Sequence, residues 1–313
     1  MSIIKKEAYF NSSNGKNKIR TLIWSDEKAS PIGVVQIAHG SSEHIGRYEA
    51  FANFLAENGF VVCGNDHLGH GKSVDTLDEL GSVEGEDGWL RTVDDMHILH
   101  NIMAKRYPDL PYFLFGHSMG SFAARIYSAR FGSELKGAIF CGTGQIPAAA
   151  AFLRQPLDII VQKLGEAKNV SALVRLVTKA QSLQYEKEGG DELAWLARNP
   201  ATREEFAADP LCGAPMKASG LRSLCMLALK ASEPDWASRL PKDLPIMMIS
   251  GGKDPIGQNG RGVISVAVSL EQAGIEPTVI LYPGDRHEIL NELDREAVFR
   301  DVLKWLYTVL ANT

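Results

Sequence analysis

Residues 113–122 read "FLFGHSMGSF". They place Ser118 inside Gly-x-Ser-x-Gly, between an apolar run, "PYFLF" (111–115), and a stretch of helical periodicity, "SFAARIYSARF" (121–131). A strand that turns sharply into a helix needs small residues at the turn. Gly116 and Gly120 supply them, and the serine is left exposed at the carboxyl end of the strand. The five-residue pattern also occurs by chance, so the rest of the chain has to supply the fold and the partners of Ser118.

Working outward, short apolar runs recur at 32–38 ("IGVVQIA"), 60–63 ("FVVC"), 136–141 ("KGAIFC"), 245–250 ("PIMMIS") and 277–282 ("PTVILY"). They are continuous rather than alternating, as expected of strands covered on both faces. Amphipathic helices are expected near 46–58, 87–106, 119–131, 258–273 and 292–311. The alternation predicts an α/β fold with a mostly parallel sheet flanked by helices. "KIRTLIW" (18–24) and the first ten residues predict a leading antiparallel hairpin. The rhythm breaks between 143 and 241, where "AAAAFLRQPLDIIVQKL" (148–164) and "NVSALVRLVTKAQSL" (169–183) carry apolar residues at helical spacing, and Leu173, Val174, Leu176 and Val177 make one stripe. About a hundred residues without a strand are too many for a loop. The expected domains are therefore a core of 1–142 and 242–313 with an inserted helical cap at 143–241.

The chain has 313 residues, 45% of them hydrophobic, enough for a sizeable core. Its net charge of -5 and the lack of a basic run argue against nucleic acid. Four scattered cysteines, Cys63, Cys141, Cys212 and Cys225, and an N-terminus without an apolar signal segment predict reduced thiols in the cytoplasm. No run approaches the ~18 apolar residues of a membrane span.

A serine nucleophile needs a base. Of eight histidines, only His287 follows Ser118. It lies in "YPGDRHEILNE", after the last predicted strand. Several aspartates lie between the two. Asp285 is too close in sequence to support the imidazole from behind. Asp254, at the end of the 245–250 strand, can reach Nδ1. The competing reading of Asp254 is a helix N-cap before Pro255. Acyl transfer also needs oxyanion donors, which are expected from the Met119 amide and from the Ser41 amide in "AHGSSEHIGRY" (38–48). The bland alternative for that stretch is an ordinary loop with Glu43 and Arg47 solvated.

At these residues the chain resembles the monoacylglycerol lipase and lysophospholipase branch of the α/β-hydrolase superfamily. "HGSSEHIGRY", "NDHLGHGKS", "GHSMGS", "SGGKDPIG" and "GDRHEILNE" match its motifs in order, over about residues 15–311. The resemblance implies the α/β-hydrolase fold, with Ser118 as nucleophile, Asp254 as acid, His287 as base, and the Ser41 and Met119 amides as oxyanion hole. It further implies a cap whose apolar inner face receives an acyl chain. Ser41 departs from the alanine of many lipase members, which a backbone donor tolerates.

The function expected is hydrolysis of carboxylic esters with a medium or long acyl chain, without cofactor or metal. The substrate is a small lipid ester, and the cap is a candidate for peripheral membrane contact. A prolyl-type aminopeptidase on the same core would need cap acids, for which Glu186, Glu188, Asp191, Glu192, Glu204 and Glu205 are available. A silent ligand-binding scaffold would be expected to lack a triad member. "GHGKS" has Asp66 where a P-loop needs glycine, and no Gly-x-Gly-x-x-Gly follows a strand. His97 and His100, with Asp94 one turn back, have metal-compatible spacing but read better as a helix face beside the sheet. His67 and His70 belong to a Gly-rich turn and read as structural, or as a wall near the pocket.

Overall fold

The computed structural model describes residues 2–147, 154–188 and 190–312. Eight strands form one sheet in the order β1-β2-β4-β3-β5-β6-β7-β8. They are β1 (Ile3–Asn11), β2 (Lys18–Asp26), β3 (Gly33–Ala38), β4 (Phe60–Asn65), β5 (Tyr112–His117), β6 (Gly137–Cys141), β7 (Ile246–Gly251) and β8 (Thr278–Tyr282). The first two pair as the expected antiparallel hairpin, Ile3 opposite Asp26, and β2 runs antiparallel to β4. All other pairs are parallel.

Every residue of β3 to β7 is buried. The reason is two cores, one on each face, fed by alternate residues of the same strands. Val34, Leu114, Phe140 and Met248 join one cluster, where they meet α2 (Gly88–Arg106), α3 (Met119–Phe131) and α8 (Arg261–Gln272). Val35, Phe113, Ile139 and Met247 join the other, with α1 (Glu49–Glu57) and α9 (Arg295–Ala311). Period-2 alternation along a strand with apolar cover on both sides is what a continuous apolar run specifies.

Between β6 and β7 come α4 (Arg154–Leu164), α5 (Ser171–Ser182), α6 (Pro200–Ala208) and α7 (Ala218–Ala231). The start of the predicted 148–164 helix, residues 148–153, lies outside the described residues. Two features of this region were not legible in its composition. Leu227, Ala228 and Ala231 of α7 and the following Trp236 and Leu240 pack in the core cluster that holds α3, so the last part of the insertion is a core helix. The α5 stripe is exposed: Leu173 at 55%, Leu176 at 67% and Val177 at 52%. No helix among the described residues is long and apolar enough to cross a membrane.

Candidate active site

Ser118 directly follows β5 and caps α3 with φ 52° and ψ −119°. That is a left-handed conformation for a residue with a side chain, a strained state that surrounding structure has to hold. The glycines do so by absence. A Cβ at Gly120 would collide with the Ala38 carbonyl, and one at Gly116 with the Gly120 carbonyl. The Ser118 N–H is tied to Cys141 O at the end of β6 (3.0 Å).

His287 stands beside the same strand end: a Cβ on the next residue, Gly142, would lie 3.2 Å from His287 Cε1. His287 Nδ1–H donates to Asp254 Oδ2 (2.9 Å), both groups being almost wholly buried. Asp254 is itself oriented. Its Oδ1 accepts the Ile256 N–H (2.8 Å), and Oδ2 accepts Ser250 Oγ–H (3.2 Å). The N-cap reading of Asp254 is not met. The next helix, α8, begins at Arg261 with Gly260 as its cap, and the Asp254–Ile256 bond closes a local turn instead. Asp285 is instead engaged in an ion pair with Arg198.

Met119 opens α3, so its N–H is one of the donors a helix cannot satisfy internally. Ser41 lies in the loop after β3, and Gly40 touches the elbow, since a Cβ there would be 3.2 Å from Ser118 Cβ. Neither the Ser41 nor the Met119 amide finds an acceptor among the described residues.

The 40–48 loop is not an ordinary solvated one. Glu43 is buried, and its Oε1 accepts the Gly40 N–H (2.6 Å) and Tyr48 O–H (2.8 Å), with His117 Nδ1 at 3.3 Å. Arg47 binds Glu43 Oε2 (3.0 Å) and, with both terminal nitrogens, Glu288 (2.5 and 2.7 Å). Burial alone would raise the Glu43 carboxyl, but the His117 hydrogen bond and the Arg47 charge hold it well below the usual carboxylate range. Burial opposes charge on His117 too, yet Glu43 lifts its pKa above the ordinary value. This network joins the 40–48 loop to the residue next to His287. The sequence signal for it was a carboxylate four residues before an arginine, which is common on solvated surfaces. Behind the loop, Asp66 accepts from Arg20 Nη1 (3.1 Å) and the Ile45 N–H (2.9 Å), and His39 Nε2 accepts the His67 N–H (2.9 Å). His67 and His70 therefore belong to a buried structural turn. His97 stacks on Phe131 (centroids 3.7 Å apart), and Asp94 pairs with Arg130.

A buried, carboxylate-oriented imidazole beside a strained serine, with two free amides nearby, has the parts required for acyl transfer. Comparison with known proteins agrees. Residues 29–294 match the family described as serine aminopeptidase, S33. A monoacylglycerol lipase of Mycolicibacterium smegmatis is 28% identical over 92% of both chains, and the human monoglyceride lipase 27% over 88% of this chain and 83% of its own. The crystal structure of a highly thermostable carboxyl esterase from Bacillus coagulans, in complex with glycerol, superposes with a TM-score of 0.89 at 33% identity and covers 99% of each chain. The Saccharomyces cerevisiae monoglyceride lipase, at 20% identity over 98% of this chain and 96% of its own, shares the fold with a TM-score of 0.76. The chain belongs to the serine aminopeptidase S33 family and, within that α/β-hydrolase family, to its monoglyceride lipase branch.

Proposed function

We propose that this protein is a serine hydrolase of carboxylic esters that carry a medium or long acyl chain, with a monoacylglycerol or a lysophospholipid as substrate. The observation that carries the reading is the His287–Asp254 hydrogen bond (2.9 Å), buried beside the strained Ser118 elbow. Ser118 Oγ attacks the ester carbonyl while His287 Nε2 takes its proton. Asp254 holds the Nδ1–H tautomer and stabilises the imidazolium. The Ser41 and Met119 amides receive the oxyanion, each donor contributing roughly 10²–10³ in rate. His287 returns the proton to the leaving alcohol. Water, deprotonated by the same imidazole, then releases the acid. No step calls for a cofactor.

Residues 143–241 serve as the cap up to α7, which anchors it on the core. The exposed Leu173, Leu176 and Val177 face of α5 is a candidate for peripheral contact with the lipid phase that holds the substrate. The four cysteines are free thiols, in keeping with a cytoplasmic protein.

Two of the six cap acids that the aminopeptidase reading could use are already engaged. Glu188 is already paired with Lys253 and Arg286, and Asp191 with Arg203, so these cap acids are not waiting for a substrate ammonium. The deciding experiment is steady-state hydrolysis of p-nitrophenyl esters from C2 to C16, with monoacylglycerol and lysophosphatidylcholine alongside, for wild type and Ser118→Ala. A maximum at C8 or longer that drops roughly 10⁶-fold in the variant supports the reading. Turnover that survives the substitution, or cleavage of an aminoacyl anilide with no ester turnover, rejects it.

A further inference from the structure

The cap segment Ala194–Arg198 runs along the histidine loop as a strap. Arg286 Nη1 donates to Ala194 O (2.6 Å), the His287 N–H to Trp195 O (3.4 Å), the Glu288 N–H to Leu196 O (2.8 Å) and the Arg198 N–H to Glu292 Oε1 (2.8 Å). From the cap side, the Trp195 N–H donates to Ser182 Oγ (3.3 Å). The backbone of Trp195 is thus held from two directions, and its ring lies against the His287 ring, centroids 5.2 Å apart and tilted 35°. The other ring beside that imidazole is His117, at 4.8 Å.

Two features of this arrangement point at the leaving group. Asp254 occupies His287 Nδ1, so the alcohol that departs takes its proton from Nε2, on the imidazole that the Trp195 ring flanks. The Trp195 indole N–H is buried and has no acceptor among the described residues. Trp24 and Trp236 share that condition, but they are 0% and 2% exposed and sit in the two cores. Trp195 alone of the three is only half-buried and has its ring against His287. A buried donor left without an acceptor is costly, and a ligand oxygen placed against it removes the cost.

We propose that Trp195 is a specificity-determining residue of the leaving-group site, its indole N–H donating to a hydroxyl oxygen of a polyol alcohol. This deepens the ester-hydrolase reading and rests on it. A monoacylglycerol carries such a hydroxyl beside the ester. A simple alkyl ester does not, and leaves the donor unpaired.

The test compares 1-monodecanoylglycerol with ethyl decanoate, which share an acyl chain and differ in the alcohol, for wild type and Trp195→Phe. Phenylalanine keeps an aromatic wall and removes the N–H. The ratio of kcat/KM, glycerol ester over ethyl ester, is expected to fall about tenfold, the size of one hydrogen bond. The ratio does not depend on the fraction of active enzyme. An unchanged ratio overturns the inference while the hydrolase reading stands. Failure of the wild type to turn over either ester overturns both. Should the variant not fold, inhibition of the wild type by the free alcohols decides. Glycerol is expected to inhibit about tenfold more tightly than 1-propanol, and equal inhibition overturns the inference.

Discussion

Replacing Asp254 by asparagine changes one atom of the candidate site and tests its geometry rather than its composition. The carboxylate now makes three contacts as an acceptor: Oδ1 from the Ile256 N–H (2.8 Å), and Oδ2 from Ser250 Oγ–H (3.2 Å) and His287 Nδ1–H (2.9 Å). An amide has one acceptor oxygen. The Ile256 backbone donor cannot rotate away, so the amide oxygen must stay at the Oδ1 position. The amide NH₂ then faces His287 Nδ1 at under 3 Å. Two donors cannot share that contact, and the imidazole takes its other tautomer, with the proton on Nε2. An Nε2–H cannot accept the Ser118 proton. The expected loss in kcat/KM is roughly 10⁴, the penalty for a wrong tautomer with geometry otherwise kept, or about 5.5 kcal/mol. The assay is p-nitrophenyl ester hydrolysis, with circular dichroism to confirm the fold and the rate of fluorophosphonate labelling to report on Ser118 itself. A folded Asp254→Asn protein within tenfold of wild type refutes the assignment of Asp254 as the acid.

Other expectations follow from the buried groups around the site. Glu43→Gln leaves His117 and Arg47 short of a charge partner, so stability should drop by about 3 kcal/mol and kcat by about 10² as the 40–43 loop shifts; urea titration and kinetics read both, and a histidine titration should show the His117 pKa moving down. An intact rate would show that the network does not position the loop. Gly120→Ala forces a Cβ into the Ala38 carbonyl, costing at least about 1–3 kcal/mol and most of the activity. Thermal melting indistinguishable from wild type would contradict the tight elbow. Burial lowers the pKa of His39, His67 (to about 3) and His70, so the folded protein keeps them neutral where the unfolded chain protonates near pH 6.5. Their contribution is present in full above that pH and is lost as pH falls, by up to roughly 1.4 kcal/mol per unit for each group. His117 and Asp285, the latter pushed up to about 7, are raised instead and have the opposite sign, but the three lowered imidazoles outnumber them, which leaves a net loss on acidification. Urea unfolding at pH 7.5 and 5.0 should show stability falling; a value that holds or rises would contradict the buried neutral state.

The amino-acid sequence by itself determined the sheet and the elbow and singled out the candidate base, because each is written locally. A continuous apolar run specifies a strand covered on both faces, Gly116 and Gly120 mark a turn too tight for a side chain, and only one histidine follows Ser118. The tertiary structure decided everything that depends on residues far apart in the chain meeting. Arg47 and Glu288 are 241 positions apart, and nothing near either shows that burial will force them together with Glu43. Trp195 becomes a neighbour of His287 only because the cap's backbone lies along the histidine loop. Local pattern was also silent on what covers the helices of the insertion. The α5 stripe and α7 are both amphipathic, and amphipathicity says that a helix has an apolar face, not what covers it. For α7 that partner is α3 and the core. For the α5 stripe, the exposed Leu176 shows that the fold leaves the face outward.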